Sequence, residues 1–345
     1  MAYISFQPSD NFNCKIYTGT GASNALTGVG FQPDYIWIKD RDGGNSQMWT
    51  DSVRGAGVHL ESNGSAAQIT QAQGVTSFDS DGFTLGTYTG MNDSGVDFVS
   101  WNLRAGTTTG ITGGSITPTG YSFNSTAGFS IIRYTGTGAT ATVPHGLGVK
   151  PKCIIIKQEN GTNNWAVYSE SIGAERQFLF NDTSASSANA NIFANTEPTS
   201  TVFSVGNDGA TGGSGSEYVA YCFASTKGCI KNGSYQGSGQ SDRSGTFVYT
   251  GFAPSMVLLS YVESGGNKNV FDNKRNPYNL RNLRLCANLT NADASSDTQA
   301  LEFHATGFKL RSTNTDQNAA AGTYWYLAFA EFPVVSSNSK SGTAR

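Results

Sequence analysis

In the stretch EYVAYCFAS, Tyr218, Ala220 and Cys222 fall on one side of an extended chain and Val219, Tyr221 and Phe223 on the other. Both sides are apolar. A strand with one wet face alternates apolar with polar residues, so two apolar faces predict a strand buried between layers. YIWIK at 35–39 and CIIIK at 153–157 read the same way. Clusters of Gly, Asn, Ser and Asp separate these runs and predict turns. No helical period is sustained, and NTDQNAAAGTYWY predicts one short helical turn at most. The pattern is that of an all-β chain of short strands, with its sheets stacked as sandwiches.

The pattern also recurs. YTGTG at 17–21 returns as YTGTG at 134–138 and YQGSG at 235–239. Each is followed by Gly-x-x-Pro and an apolar run, with Pro33, Pro151 and Pro254 just ahead of the run. A missing N–H breaks no ladder hydrogen bond at such a place. Next come MWTDSVRG, WAVYSESIG and VFDNKRNP, then Phe83, Phe203 and Phe308, then an aromatic closing strand. From Pro33 to Phe83, Pro151 to Phe203 and Pro254 to Phe308 the chain advances 50, 52 and 54 residues. Repeats are sought first because they decide the architecture. Here they predict three tandem β-sandwich units, jelly-roll or concanavalin-like, at 1–110, 111–233 and 234–345, the last with a C-terminal tail. Each unit is large enough to hold its own core. The paired glycines, such as Gly19 and Gly21, predict tight turns at positive φ. A phosphate loop would need a following helix and, for a P-loop, a Lys-Ser/Thr pair.

Composition narrows the function. Charged residues are 14% of the chain and 42 of its 345 residues are glycine, a turn-rich β composition, while 12% aromatics exclude disorder. A net charge of −3 without a Lys/Arg cluster points away from nucleic acid and anionic membranes. No apolar run approaches a membrane span, and the start has no secretory pattern. Cys14, Cys153, Cys222, Cys229 and Cys286 form no CxxC or Cys/His cluster, which fits a reducing compartment.

Candidate chemistry is sparse. His59, His145 and His304 fall one to a unit and no catalytic or zinc motif frames them; His145, in VPHGLG, is expected in a turn contact. Asp51 and Arg54 recur as Asp272 and Arg275, read as a hydrogen-bonded turn with the Arg stem packed on a ring, or as a sugar-binding carboxylate. Asp79 and Asp81 in FDSDGF read as a turn or a surface calcium site, without EF-hand spacing. Tyr17, Trp37, Trp49, Trp101, Trp165 and Trp325 read as core rings, with sugar stacking the alternative. No residue is assigned a catalytic, cofactor-binding or metal-ligating role.

The segments MAYISFQPSD, FQPDYIWIK, SDGFTLGT, RAGTTTGITGGSITPTGYSFNSTAGFSII, YVAYCF, YLAFAE and the final TAR resemble the repeat-built virion proteins of marine bacteriophages. The resemblance covers essentially the whole chain. The third unit departs from it, with LLSYVES where a Lys-bearing strand is expected. The resemblance implies lectin-like β-sandwich repeats in a virion structural protein, most often a tail fibre or appendage component that attaches to the host surface by binding. It implies assembly in the bacterial cytoplasm and location on the virion. Implied partners are other virion proteins, host cell-surface polysaccharide and further copies of the chain, a trimer foremost; nucleic acid and membrane insertion are not implied. A capsid decoration or head-fibre protein and a polysaccharide-degrading appendage enzyme are the alternatives. The stretch before Cys14 and the tail VVSSNSKSGTAR are candidate docking segments.

Overall fold

A computed structural model describes residues 4–240, 244–332, 334–336 and 341–342, with side chains at 7–240 and 244–330. The two terminal candidates for docking fall partly outside them.

Three large antiparallel sheets carry the architecture, each with the same strand order. The first runs Phe12–Thr18, Asp97–Leu103, Tyr35–Asp40, Met48–Asp51, Val58–Glu61, Ile69–Thr70. The second runs Phe129–Thr135, Glu217–Phe223, Cys153–Gln158, Ala166–Ser169, Arg176–Leu179, Ser187–Ala188, with Gly120–Asn124 added at its edge. The third runs Ile230–Gln236, Thr323–Phe332, Ala253–Tyr261, Asn269–Asp272, Leu283–Cys286, Ala294–Ser295. The registers match as well: Trp101 faces Trp37, Tyr221 faces Ile155 and Leu327 faces Leu258.

A smaller sheet backs each large one, and we call each pair a lobe. Asn24–Thr27, Gly82–Leu85 and Val75–Asp79 back the first. Ala141–Pro144 and Val202–Val205 back the second; Phe247–Tyr249, Gly307–Leu310 and Leu301–His304 back the third. Phe83, Phe203 and Phe308 fill the space between the two sheets of their lobes. The expected helical turn is Thr315–Asn318, capped by the Asn314 side chain. Among the described residues no helix is long and apolar enough to cross a membrane.

The two apolar faces of the strands have separate destinations. Tyr218, Ala220 and Cys222 line the core of their own lobe. Val219, Tyr221 and Phe223 enter a different and larger core, shared by all three lobes. Tyr35 and Trp37 likewise join the shared core while Ile36 and Ile38 stay in the lobe. All five tryptophans lie in shared or junction positions, and Trp37 packs on Trp49 and Trp101 at centroid distances of 5.2 and 4.6 Å. A cavity of about 20 Å³ remains among Phe12, Trp37, Ile155, Phe223, Leu258 and Phe329. Its lining is apolar, so a water there would lack hydrogen-bond partners.

The expectation of self-contained cores is therefore only half of the arrangement. Each lobe has one, but the inner faces of the large sheets pack against one another, with Phe180 and Ile172 from the connecting loops. The expected boundary at 233/234 cuts the strand Ile230–Gln236, which pairs along its length with Thr323–Phe329 of the third sheet.

The glycine pairs close one end of each lobe. Gly21, Gly138 and Gly239 hold φ of +68°, +73° and +69°. Gly19 differs from expectation: its φ is not positive. A Cβ there would collide with the backbone oxygen of Asp93, and one at Gly136 or Gly237 would collide with Gly213 or Ala319. The first glycine of the pair serves close backbone approach, the second a left-handed turn. Pro33 and Pro151 precede their strands, whereas Pro254 lies inside Ala253–Tyr261, at a register shift where the ladder is already interrupted.

Gly19→Ala should destabilise the protein by about 3 kcal/mol or more, since backbone must move. Gly95→Ala, at φ +80° with nothing within 4 Å of the new Cβ, should cost only about 1–2 kcal/mol. Urea unfolding of both variants tests the ranking.

Candidate functional site

The residues with candidate chemistry converge on the junctions between lobes. Asp51 ends the strand Met48–Asp51, and its Oδ1 accepts from the backbone N–H of Val53 and Arg54 at 3.1 and 2.8 Å. Arg54 folds back, placing Nε 2.5 Å from Asp51 Oδ2 and Nη2 2.8 Å from the Trp49 carbonyl. Asp272 and Arg275 repeat the turn: Oδ1 accepts from Lys274 and Arg275, and Arg275 reaches Oδ2 and the Val270 carbonyl. All four side chains are buried. The turn reading of the sequence is correct; in the second copy it is the Arg275 guanidinium, not its stem, that lies over a ring, 5.5 Å from the centre of Trp101.

A donor from the neighbouring lobe completes each pair. Tyr221 of lobe two donates its hydroxyl to Asp51 Oδ2 at 2.8 Å. Trp101 of lobe one donates its ring N–H to Asp272 Oδ2 at 3.2 Å. These donors occupy the same position of the repeat, where lobe three has Leu327. Lobe two correspondingly has Ser169 in place of Asp, with Ile172 where Arg would follow. Burial opposes the charge on Asp272, but Arg275 and two backbone N–H groups hold its carboxyl below the ordinary carboxylate range. Burial likewise opposes the Arg275 charge, and Asp272 and Asp293 outweigh it.

A second ring of contacts was missed by sequence reasoning. Gln47, Trp165 and Lys268 stand two residues before Trp49, Val167 and Val270, which are equivalent by register. Gln47 donates to the carbonyls of Cys286 and Leu289 in lobe three at 2.9 and 3.3 Å. Trp165 shares its ring N–H between Glu61 and Gly64 of lobe one, both at 3.1 Å. Lys268 donates to the Asp182 carbonyl of lobe two at 2.7 Å. The direction is cyclic: one to three, two to one, three to two. Three unlike side chains hide the repeat, but Asn63, Asn181 and Asn288 mark it. Each accepts from the backbone N–H of Gln47, Trp165 or Lys268, at 2.7 to 2.9 Å.

Lys268 also accounts for the departure of lobe three. In lobes one and two, buried Lys39 and Lys157 donate to the hairpin carbonyls of Gly43 and Gly161. Ser260 replaces them, and Lys268 donates to the hairpin carbonyl of Gly266. Burial lowers the ammonium pKa of Lys157 and of Lys268 to about 8.

The other candidates stay apart. His59 is buried, 5.8 Å from the Tyr88 ring and 3.8 Å from the Glu61 carboxylate. His145 is buried in its turn, accepting from the Leu147 N–H at 3.2 Å and contacting the Thr199 carbonyl at 3.3 Å. Half-exposed His304 lies beside Glu302 on the small sheet of lobe three. Asp81 accepts from the N–H groups of Gly28 and Gly30, and Asp79 from the Thr84 hydroxyl. Among the described residues no group of three His, Cys, Asp or Glu could hold a metal ion. The five cysteines are buried free thiols, and burial raises their pKa. Tyr17 stacks on Phe98 at 5.2 Å and donates to the Met91 carbonyl.

The interlobe contacts make the three lobes one body, and the sequence profile of DUF7483, a domain of unknown function, spans residues 7–333. The chain belongs to the DUF7483 family. A DUF7483 domain is thus all three lobes with their shared core, not one repeat. No curated protein matches the sequence.

Asp51→Ala removes the partner of buried Arg54 and the acceptor of Tyr221, and should cost about 3–5 kcal/mol. Ser169→Ala, at the equivalent place in lobe two, should cost about 1 kcal/mol. Chemical denaturation of both variants tests this contrast. His145 gives a pH signature. Burial lowers its pKa to about 4, against about 6.5 in the unfolded chain. The unfolded state takes up this proton first, so the contribution of His145 is intact above pH 6.5 and is lost as pH falls toward 4. The slope is at most about 1.4 kcal/mol per pH unit. Urea midpoints at pH 7, 5.5 and 4.5 should fall less steeply in His145→Asn than in the parent protein.

Proposed function

We propose that the chain is a structural component of a bacteriophage virion, a tail fibre or appendage protein that meets the host surface by binding. The observation that carries this reading is the use made of the reactive-looking side chains. Both recurrent Asp–Arg pairs and all five tryptophans are spent on locking lobes together. A stiff body remains, with turns and short loops on its outside. Structural proteins of particles need such rigidity, and loops on a rigid scaffold are where recognition is usually built.

The two ends of the body differ. Leu103 and Phe223, from which the interlobe linkers leave, pair with Phe12, Tyr35, Phe129 and Cys153 at one end. The glycine loops and the hairpins after Asp40, Gln158 and Tyr261 lie at the other. This polarity suits attachment to other virion proteins at one end and display at the other. A homotrimer would join such bodies through their outer surfaces, because the inner sheet faces are covered within one chain.

Mass spectrometry and a density map of purified particles test the proposal. The expected result is the three-lobed body on an appendage. Density on the shell instead moves the chain to a capsid decoration role, and absence of the chain from particles overturns the reading.

A further inference from the structure

The third lobe departs from the other two on one outer edge. Phe247 and Tyr249 stand at alternate positions of a short strand and are 46% and 67% exposed. They pair with Lys309 and Gly307. The corresponding positions are Ala25 and Thr27 in lobe one, facing Thr84 and Gly82, and Thr142 and Pro144 in lobe two, facing Ser204 and Val202. Both of those lobes fold around the same kind of core with no ring on this edge. The repeat thus provides its own control: the fold does not require Phe247 or Tyr249 to be aromatic.

Against Tyr249 lies a groove of about 320 Å³, between the edge strands of the two sheets of this lobe. Tyr249 and Thr250 line it from the small sheet, Lys231 from the large one, and Ser225, Thr226 and Lys227 from the linker. Lys231 is also particular to lobe three, since Asn13 and Ser130 hold its place elsewhere. The lining joins a flat ring and two ammonium groups and includes no carboxylate; its hydroxyls are tied within the protein, Ser225 to Asn232, Thr226 to the Ala127 carbonyl and Thr250 to the Phe252 carbonyl. Its volume lies at the lower end of small-ligand sites.

We infer that this groove binds an acidic oligosaccharide, a chain of sugars carrying carboxylate or sulfate groups. A pyranose has an apolar C–H face that covers a tyrosine ring, and a rim of hydroxyl and acid groups that suits lysine partners. Two rings at alternate strand positions stand roughly 7 Å apart, a spacing that lets neighbouring sugars of one chain use both. The lysines select anionic sugars over neutral ones. Single-stranded nucleic acid would use the same ring and cations, but a chain of net charge −3 lacks the basic stripe that tracks phosphates. The inference rests on the reading above that the protein works by binding.

Calorimetric titration of the intact chain with a uronic acid tetrasaccharide, maltotetraose and an eight-residue oligothymidylate provides the test. The uronate should bind, more weakly as salt rises. Tyr249→Ala should weaken it at least tenfold with an unchanged melting temperature, and Lys231→Gln should reduce both affinity and salt dependence. Absence of uronate binding, or equal affinity in Tyr249→Ala, overturns the site. Tighter binding of maltotetraose rejects the acidic class, and tighter binding of the oligothymidylate rejects the glycan. The particle experiment has a separate readout. A chain found on particles that binds no uronate leaves the virion reading standing and rejects the groove; a uronate-binding chain absent from particles does the reverse.

Discussion

Three sheets with two apolar faces each cannot all be covered by their own small partners. The outer face of each large sheet is met within its lobe, while the inner face packs chiefly against the other two large sheets. Burial of a large apolar side chain contributes about 1.5–3 kcal/mol, and the shared core holds Trp37, Trp49, Trp101, Trp165 and Trp325 among more than thirty buried residues. This mutual covering is the constraint that makes three repeats into one body. It explains why Tyr35 and Trp37 are rings while Cys153, Ile155, Met256 and Leu258 hold the same places: only the sum of the three contributions must fill the space.

Within this threefold plan, no two junctions are chemically alike. One sets Tyr221 against Asp51 and Arg54, one sets Trp101 against Asp272 and Arg275, and the third has Ser169 bonded to Asn232 at 3.3 Å. A buried ion pair adds little stability over a well-packed apolar pair, but stranding one of its members is costly. If the lobes closed in the opposite cyclic order, Arg54 and Arg275 would lose the donors that complete their carboxylates. Unlike junctions therefore specify which lobe sits beside which, a form of discrimination that identical junctions lack.

The strand alternation, the glycine pairs and the anchor phenylalanines were legible because backbone period and turn geometry leave local marks. The faces assigned to residues 218–223 are the faces observed. The shared core was not legible: an apolar face in sequence does not say whose apolar face will meet it. Gly19 shows the same limit, since its role depends on the backbone of Asp93, 74 positions away in the chain. Gln47, Trp165 and Lys268 left no pattern because a carbonyl accepts from an amide, an indole or an ammonium alike. Only the asparagines that hold their backbones are constant.

The cyclic order of the contacts has a consequence for biogenesis. Lobe one donates to lobe three, which a ribosome delivers last, and domains ordinarily fold as they emerge. Until the third lobe is synthesised, Trp101 lacks Asp272 and both Phe12 and Phe223 lack Phe329, so a nascent chain of two lobes is exposed to aggregation. The closing strand Thr323–Phe332, which carries Trp325 and Leu327 into the centre, is then the keystone: the interior stays open until that strand has been made.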